Sequence, residues 1–443
     1  MSDSEQRETG GVEGVAPAAP IDALVAQADL SAPAEAVLPP ELAANSIGEY
    51  FAAWGRRLRN GESGALPIVA GLIIIVVFFQ VQQHLFDSSG NLVNLLIQSS
   101  VYIMFGAAEL FALLLSEIDL SVGFAAAVGA MIFAEVNAPP VNLPWTVALL
   151  AALGFTAAFG FIQGQLITRL NLPSFVVTLG GLLFLEGVLL ELANIDPTAL
   201  GGVMSLGDSP VYKLSSTEMS VTLGWIVLVA VIGAYAAFAL RSAYKKRKAG
   251  LTAPPLGVTL LTIGIVGVGG LILVLICNGN GTTPGIPWVV PFVLLILFGW
   301  TVMLGRTKLG RYIYAIGANP EAARRAGINV GLVRTIGFTL CGFGAGLAGL
   351  AYESYLGSIS TGIDGGNYTL FAVAAGVIGG ASLFGGRGKP LNALLGGLII
   401  GVVFNGLGLM GVSAAVQEMV TAGVLIAAVT LDALVRRRSS TPR

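Results

Sequence analysis

Twelve apolar runs, most of them long enough to cross a bilayer, constrain this chain more than any other feature. They occupy residues 66–82, 92–115, 120–136, 145–167, 175–192, 221–240, 256–276, 287–304, 332–351, 370–383, 391–410 and 412–431. A spanning helix needs about 20 mostly apolar residues, and inside lipid every backbone polar group must find its partner within the segment. An all-α polytopic membrane protein of about twelve transmembrane helices is therefore the expected fold. The run 370–383 is short, and the Gly-Gly-Ala-Ser sequence at 379–382 marks it as a candidate broken or re-entrant segment. Only 11% of residues are charged and 55% are hydrophobic, against about 25% charged in a soluble domain.

Orientation follows from where the few cations sit. With both termini cytoplasmic, Arg56, Arg57, Arg59, Arg169, Lys245, Lys246, Arg247, Lys248, the cations of 306–334, Arg387, Lys389 and Arg436, Arg437, Arg438 all fall on one side, as the positive-inside rule requires. The stretches 194–216 and 353–367 then face outward. Residues 1–45 are rich in Ala, Pro, Glu and Asp and read as a disordered acidic tail with no signal-peptide pattern. Residues 46–62 read as an interfacial helix anchored by Tyr50, Phe51 and Trp54. The transmembrane domain is 63–435, and 436–443 is a basic tail.

Several chemistries lack the residues they need. His84 is the only histidine, and of the two cysteines Cys277 falls at the outer end of one span and Cys341 within the inner half of another, which leaves a His-based metal or catalytic site unsupported. The sequence Gly385-Gly-Arg-Gly-Lys-Pro390 has a leucine at the first glycine position of a P-loop and a proline at its hydroxyl position, so it does not bind ATP. No basic groove or aromatic-basic platform points to nucleic acid.

One charged passage, 307–330, interrupts the second half. Within it Asn319 can cap a helix, Pro320 suits the first helical position, and Glu321 sits at the positive end of the dipole. Ala322 and Ala323 continue the helix, Arg324 and Arg325 complement its other end, and Gly327 after Ala326 supplies the stop. The pattern describes a rigid cytoplasmic helix of defined length. Three other stretches stand out: Ile118-Asp-Leu-Ser-Val-Gly123, Leu172-Pro-Ser-Phe-Val-Val-Thr-Leu-Gly180 and Ala374-Ala-Gly-Val-Ile-Gly-Gly-Ala-Ser-Leu-Phe-Gly-Gly-Arg-Gly388.

Together with Gly310-Arg-Tyr-Ile-Tyr-Ala-Ile-Gly-Ala-Asn-Pro-Glu-Ala-Ala-Arg-Arg-Ala-Gly-Ile-Asn329, these resemble the permease subunits of ribose/xylose-type ATP-binding-cassette sugar importers, over about 91–438. An extra pair of spans around Lys245 to Lys248 is similar to the longer, xylose-related members. Ser116-Glu117 departs from the pair of glycines usual there, and 104–115 is atypical. The resemblance implies a permease that binds no cofactor itself, with ATP and Mg held by separate ATPase subunits docked on residues 319–327. It also implies an extracytoplasmic sugar-binding protein, a homodimer in a bacterial cytoplasmic membrane, and a monosaccharide cargo, a pentose such as xylose being favoured. Asp119, Ser121, Pro173, Ser174, Gly379, Gly380, Gly385 and Gly386 are its motif residues.

Asp119 and Ser121 also open a helix and can cap it, and the glycines permit close helix approach. Glu109 and Glu186 lie inside apolar runs with no cation at their depth. They are either hydrogen-bonded, Gln98, Gln163 and Gln165 being available, or line the pathway; Asn405 and Gln417 pose the same choice. The carboxylates also admit a second reading, a secondary transporter driven by an ion gradient.

Overall fold

The computed structural model describes residues 66–195, 203–205, 209–250 and 255–439, with residues 48, 49, 52, 55 and 56, which are helical. The acidic tail expected at 1–45 and most of the interfacial helix expected at 46–62 lie outside the described residues. The helices are α1 Leu66–Gln82, α2 Ser89–Leu114, α3 Val122–Asn137, α4 Trp145–Leu170 and α5 Ser174–Ile195. After them come α6 Lys213–Ser216, α7 Val221–Lys248, α8 Leu256–Asn278, α9 Val289–Arg306, α10 Lys308–Ala318 and α11 Pro320–Arg325. The last four are α12 Val330–Leu356, α13 Gly365–Ile378, α14 Pro390–Leu409 and α15 Ala414–Ser439. Among the described residues, α2, α4, α5, α7, α8, α9, α12 and α14 are long and apolar enough to cross a membrane, and α1, α3 and α13 are shorter apolar helices.

The bundle is built around α2. Every residue from Ser99 to Leu115 is buried, as expected of a helix that is apolar all round. It is enclosed by α12, α13 and α14, with α4 packed on the far side of α12 and α3. Small residues make this closeness possible: α12 brings Gly342, Gly344, Gly346 and Gly349 to its neighbours, the usual route to tight packing where lipid offers no hydrophobic drive. The pair α7 and α8 packs mainly on itself and exposes Ile226, Val229, Val231, Ile265 and Ile272. This is the extra pair of spans noted from the sequence.

Two features are not expected from the sequence. Residues Val203–Ser205 (β1) and Ser358–Ser360 (β2) form an antiparallel ribbon, with Met204 opposite Ile359. The ribbon joins the two stretches expected outside the membrane, and a bridge from Glu218 to Pro287 ties in a third. The second feature is α10, a helix between α9 and α11. Thr307 caps it by accepting from Gly310 N–H at 3.1 Å, and Ile313 and Ile316 are buried.

Candidate functional site

Two short helices begin at the same place inside the bundle. Helix α3 has 16 residues and α13 has 14, about 24 and 21 Å at 1.5 Å per residue, so each is shorter than a hydrocarbon core of about 30 Å. Their first turns touch. Gly123 N–H donates to Thr369 Oγ1 at 2.9 Å, and a Cβ on Gly123 would run into the Gly365 carbonyl. Thr369 Oγ1 also lies 3.0 Å from Gly365 O and 3.2 Å from Leu120 O. One threonine thus fastens the start of α3 to the start of α13.

The segment leading into α3 folds back beside α2. Asp119 N–H donates to Glu109 Oε1 at 3.1 Å, and Cys341 Sγ on α12 lies 3.9 Å from Glu109 Oε2. Glu109 sits five residues before the end of α2, about 7 Å along the helix axis, and it is fully buried. Asp119 Oδ1 accepts from Ser121 N–H at 2.9 Å and from Ser121 Oγ at 2.6 Å, while Gln163 Nε2 donates to Ser121 Oγ at 3.0 Å. Neither residue caps α3 as expected: Asp119 accepts from Ser121 N–H, which precedes the helix, the Ser121 hydroxyl is spent on Asp119 and Gln163, and Thr369 from another helix serves Gly123 N–H. Gln163 binds Ser121 rather than Glu109, and Gln165 donates to Thr335 at 3.2 Å. Thr178 Oγ1, one turn into α5, lies 3.3 Å from Ile118 O. The motif at 118–123 and the one at 172–180 therefore meet in this knot, with Pro173 exposed and Ser174 half-buried where α5 begins.

A second junction forms at the C-terminal end of α2, just beyond Glu109. Gly386 N–H donates to Leu114 O at 3.0 Å, and Ser116 Oγ lies 2.9 Å from Phe384 O and 3.1 Å from Gly317 O. Tyr314 OH on α10 donates to Gly388 O at 2.7 Å, and burial raises the pKa of that hydroxyl, keeping it a donor. Gly379 ends α13, and Gly380, Gly385 and Gly386 adopt φ of +98°, +76° and +67°, values that a side chain on Cβ makes costly. The glycine motif is thus the loop that receives α10 and the end of α2. Ser116 itself takes φ +65°, which accounts for the glycine usual at this point, and its hydroxyl supplies two contacts that glycine has none for. Glu117 pairs with Arg334 at 3.1 Å.

Helix α11 hangs from this junction. Asn319 Oδ1 accepts from Ala322 N–H at 3.0 Å, and Glu321 faces Arg324 at 3.1 Å and Arg325 at 3.4 Å. Gly327 N–H reaches Arg324 O and Ile328 N–H reaches Ala323 O, with φ of +82° at Gly327, the doubled bond of a Schellman stop. Glu321, Ala322, Arg324, Arg325 and Ala326 are exposed and Pro320 is half-buried. Ala323 is the exception within 319–327: at 4% exposure it packs into the core of this chain. It is therefore withdrawn from the surface that a docked subunit could touch.

The remaining candidates separate. Asn405 is buried and forms a reciprocal amide pair with Asn91, at 2.9 and 3.0 Å. Glu186 is exposed on the outward face of α5. Gln417 Nε2 donates to Val412 O at 2.8 Å, closing the turn before α15. Sequence reasoning missed Thr369, Cys341 as a neighbour of Glu109, Glu353 on α12, which is fully buried, and helix α10. The spacing of Leu309, Ile313 and Ile316 at i, i+4 and i+7 was the available signal for α10.

Residues 91–429 match the family model described as branched-chain amino acid transport system / permease component. The chain is 32% identical over 365 residues to the ribose import permease protein RbsC of Escherichia coli K12, covering 82% of this chain and 92% of that protein. It is 31% identical over 381 residues to the xylose transport system permease protein XylH of the same strain, covering 84% and 92%. With the D-allose transport system permease protein AlsC of that strain it shares 28% over 365 residues, covering 82% and 90%. No solved structure matches significantly.

Proposed function

This chain belongs to the branched-chain amino acid transport system permease family, and we propose that it is the membrane-spanning subunit of an ATP-binding-cassette importer of monosaccharides. The observation that carries the cargo class is the similarity, over more than four-fifths of the chain, to permeases whose names specify ribose, xylose and allose. It is a translocation subunit in a membrane rather than an enzyme, and its partners are an ATPase and a substrate-binding protein. A pentose such as xylose is the preferred cargo within that class.

The finer architecture belongs to the same proposal. Twelve crossings place α10, α11 and the glycine loop in the cytoplasm, in a bacterial cytoplasmic membrane, and the β1–β2 ribbon outside. The exposed side of α11 is the docking face for the ATPase, which holds ATP and Mg. Phe384, 76% exposed on the adjoining glycine loop, extends that face. Motion of α11 then passes through α10 to the 384–388 loop and the end of α2, which are joined by the hydrogen bonds described above. From there α2 carries Glu109 and the knot at the start of α3. Two copies form one pathway.

The test is reconstitution with the ATPase and the sugar-binding protein in lipid vesicles. Sugar should accumulate with ATP and no ion gradient. The relatives give the ion-gradient reading no support, and accumulation driven by a gradient without the ATPase would restore it and sink the importer.

A further inference from the structure

A cavity of about 510 Å³ lies between α2, α6 and the end of α12, away from both junctions described above. Its size falls in the range of small-molecule sites, about 300–1,000 Å³. The lining is uncharged and rich in hydroxyl and amide groups: Asn94, Tyr212, Ser215, Ser216, Ser354 and Tyr355, with Ile97 and Leu356 as apolar members.

The wall is fixed by its own bonds. Ser215 N–H donates to Ser354 Oγ at 2.9 Å, and Ser354 Oγ donates to Tyr212 O at 3.3 Å. Gly357 closes α12 in the left-handed conformation, φ +71°, and its lack of a side chain admits the Tyr212 ring. These contacts hold α6 against the end of α12 and leave Ser215 Oγ buried with no hydrogen-bond partner among the described residues.

We propose that this cavity is the outer binding site for a neutral monosaccharide, occupied as the sugar enters the permease. The inference rests on the proposed function and assigns residues to it. A sugar offers hydroxyls to Asn94, Ser216 and Tyr355, and its C–H faces to the tyrosine rings. A free amino acid, the cargo that the family description specifies, would bring a carboxylate and an ammonium to a lining with no formal charge. Desolvating both without an opposite charge is expensive. The lining therefore selects against that cargo.

The test uses the complete transporter with Ser216→Cys, whose site is exposed and lines the cavity, labelled by an impermeant maleimide. Cys277 and Cys341 are buried, so the unmodified chain gives the background. Thr282→Cys, exposed but outside the cavity, is the control. Xylose, ribose or allose at about ten times its dissociation constant should slow labelling at 216 about tenfold, leaving 282 unchanged, while leucine has no effect. Equal labelling with and without every sugar, in a complex that still accumulates sugar with ATP, would overturn the site and leave the importer standing. Equal slowing at 282 would also overturn it, as would protection by leucine alone. Failure of the unmodified complex to accumulate any sugar with ATP would instead strike the proposed function.

Discussion

Glu109 is the clearest case at the scale of a residue. Its two oxygens face Asp119 N–H at 3.1 Å and the Cys341 thiol at 3.9 Å, with no cation among its contacts in the described residues. The carboxyl acts here as a clamp on the loop that opens α3. Glu109→Gln keeps a carbonyl oxygen for Asp119 N–H and should leave ATP-driven uptake in place. Glu109→Leu removes the acceptor and strands a buried N–H, which costs about 1–3 kcal/mol. The unfolding midpoints of the two variants in detergent measure the difference. A Leu variant as stable as the wild type would mean that the clamp contributes nothing. The identity of a polar residue inside a span is readable from sequence, but its partner is not. Asn405 illustrates this, since its mate Asn91 lies 314 positions away.

Helix α11 carries its own start and stop, and the local chemistry of Asn319, Pro320 and Gly327 accounts for its length. Which side faces outward depends on α10 and α12, against which it packs. Ala322→Asp changes an exposed position and should abolish sugar-stimulated ATP hydrolysis while the permease unfolds at an unaltered temperature. Ala323→Asp places a charge in the core and should cost about 3 kcal/mol or more in permease stability, even without the ATPase. Stability and ATP hydrolysis, measured on both variants, separate a docking face from a packing face. If Ala322→Asp coupled normally, α11 would be a connector only.

For the whole molecule, the exposed carboxylate of Glu186 is informative. It lies on the outward face of α5 beside Leu183, Phe184 and Leu190, all exposed, where contact with lipid would cost about 2.5–3.5 kcal/mol. A second copy packed along α5 would cover it, consistent with the proposed pair of permeases. Glu186→Cys should therefore give disulfide-linked dimers on mild oxidation in membranes, and Phe238→Cys on the distant α7 should not. Monomer alone at both positions would place the dimer contact elsewhere.

What the sequence determined is the part that rests on local rules. Apolar runs specify helices because lipid tolerates no unpaired backbone, and capping residues specify the ends of α11. These effects act within one turn or one span. The run at 120–136 forms α3 to within two residues at either end, whereas α13 begins and ends five residues before the run at 370–383. Only the tertiary structure decided that the first turns of α3 and α13 meet at Gly123 and Thr369, and that the 384–388 loop seats the end of α2. It likewise decided that β1 pairs with β2, Met204 lying opposite Ile359, and which alanine of α11 is buried. Gly123 and Thr369 are 246 positions apart, and Ser116 and Phe384 are 268 apart. No local preference of either segment encodes the distance or direction of the other. Close packing does, because small residues let helices approach until their polar groups have only one another to bind.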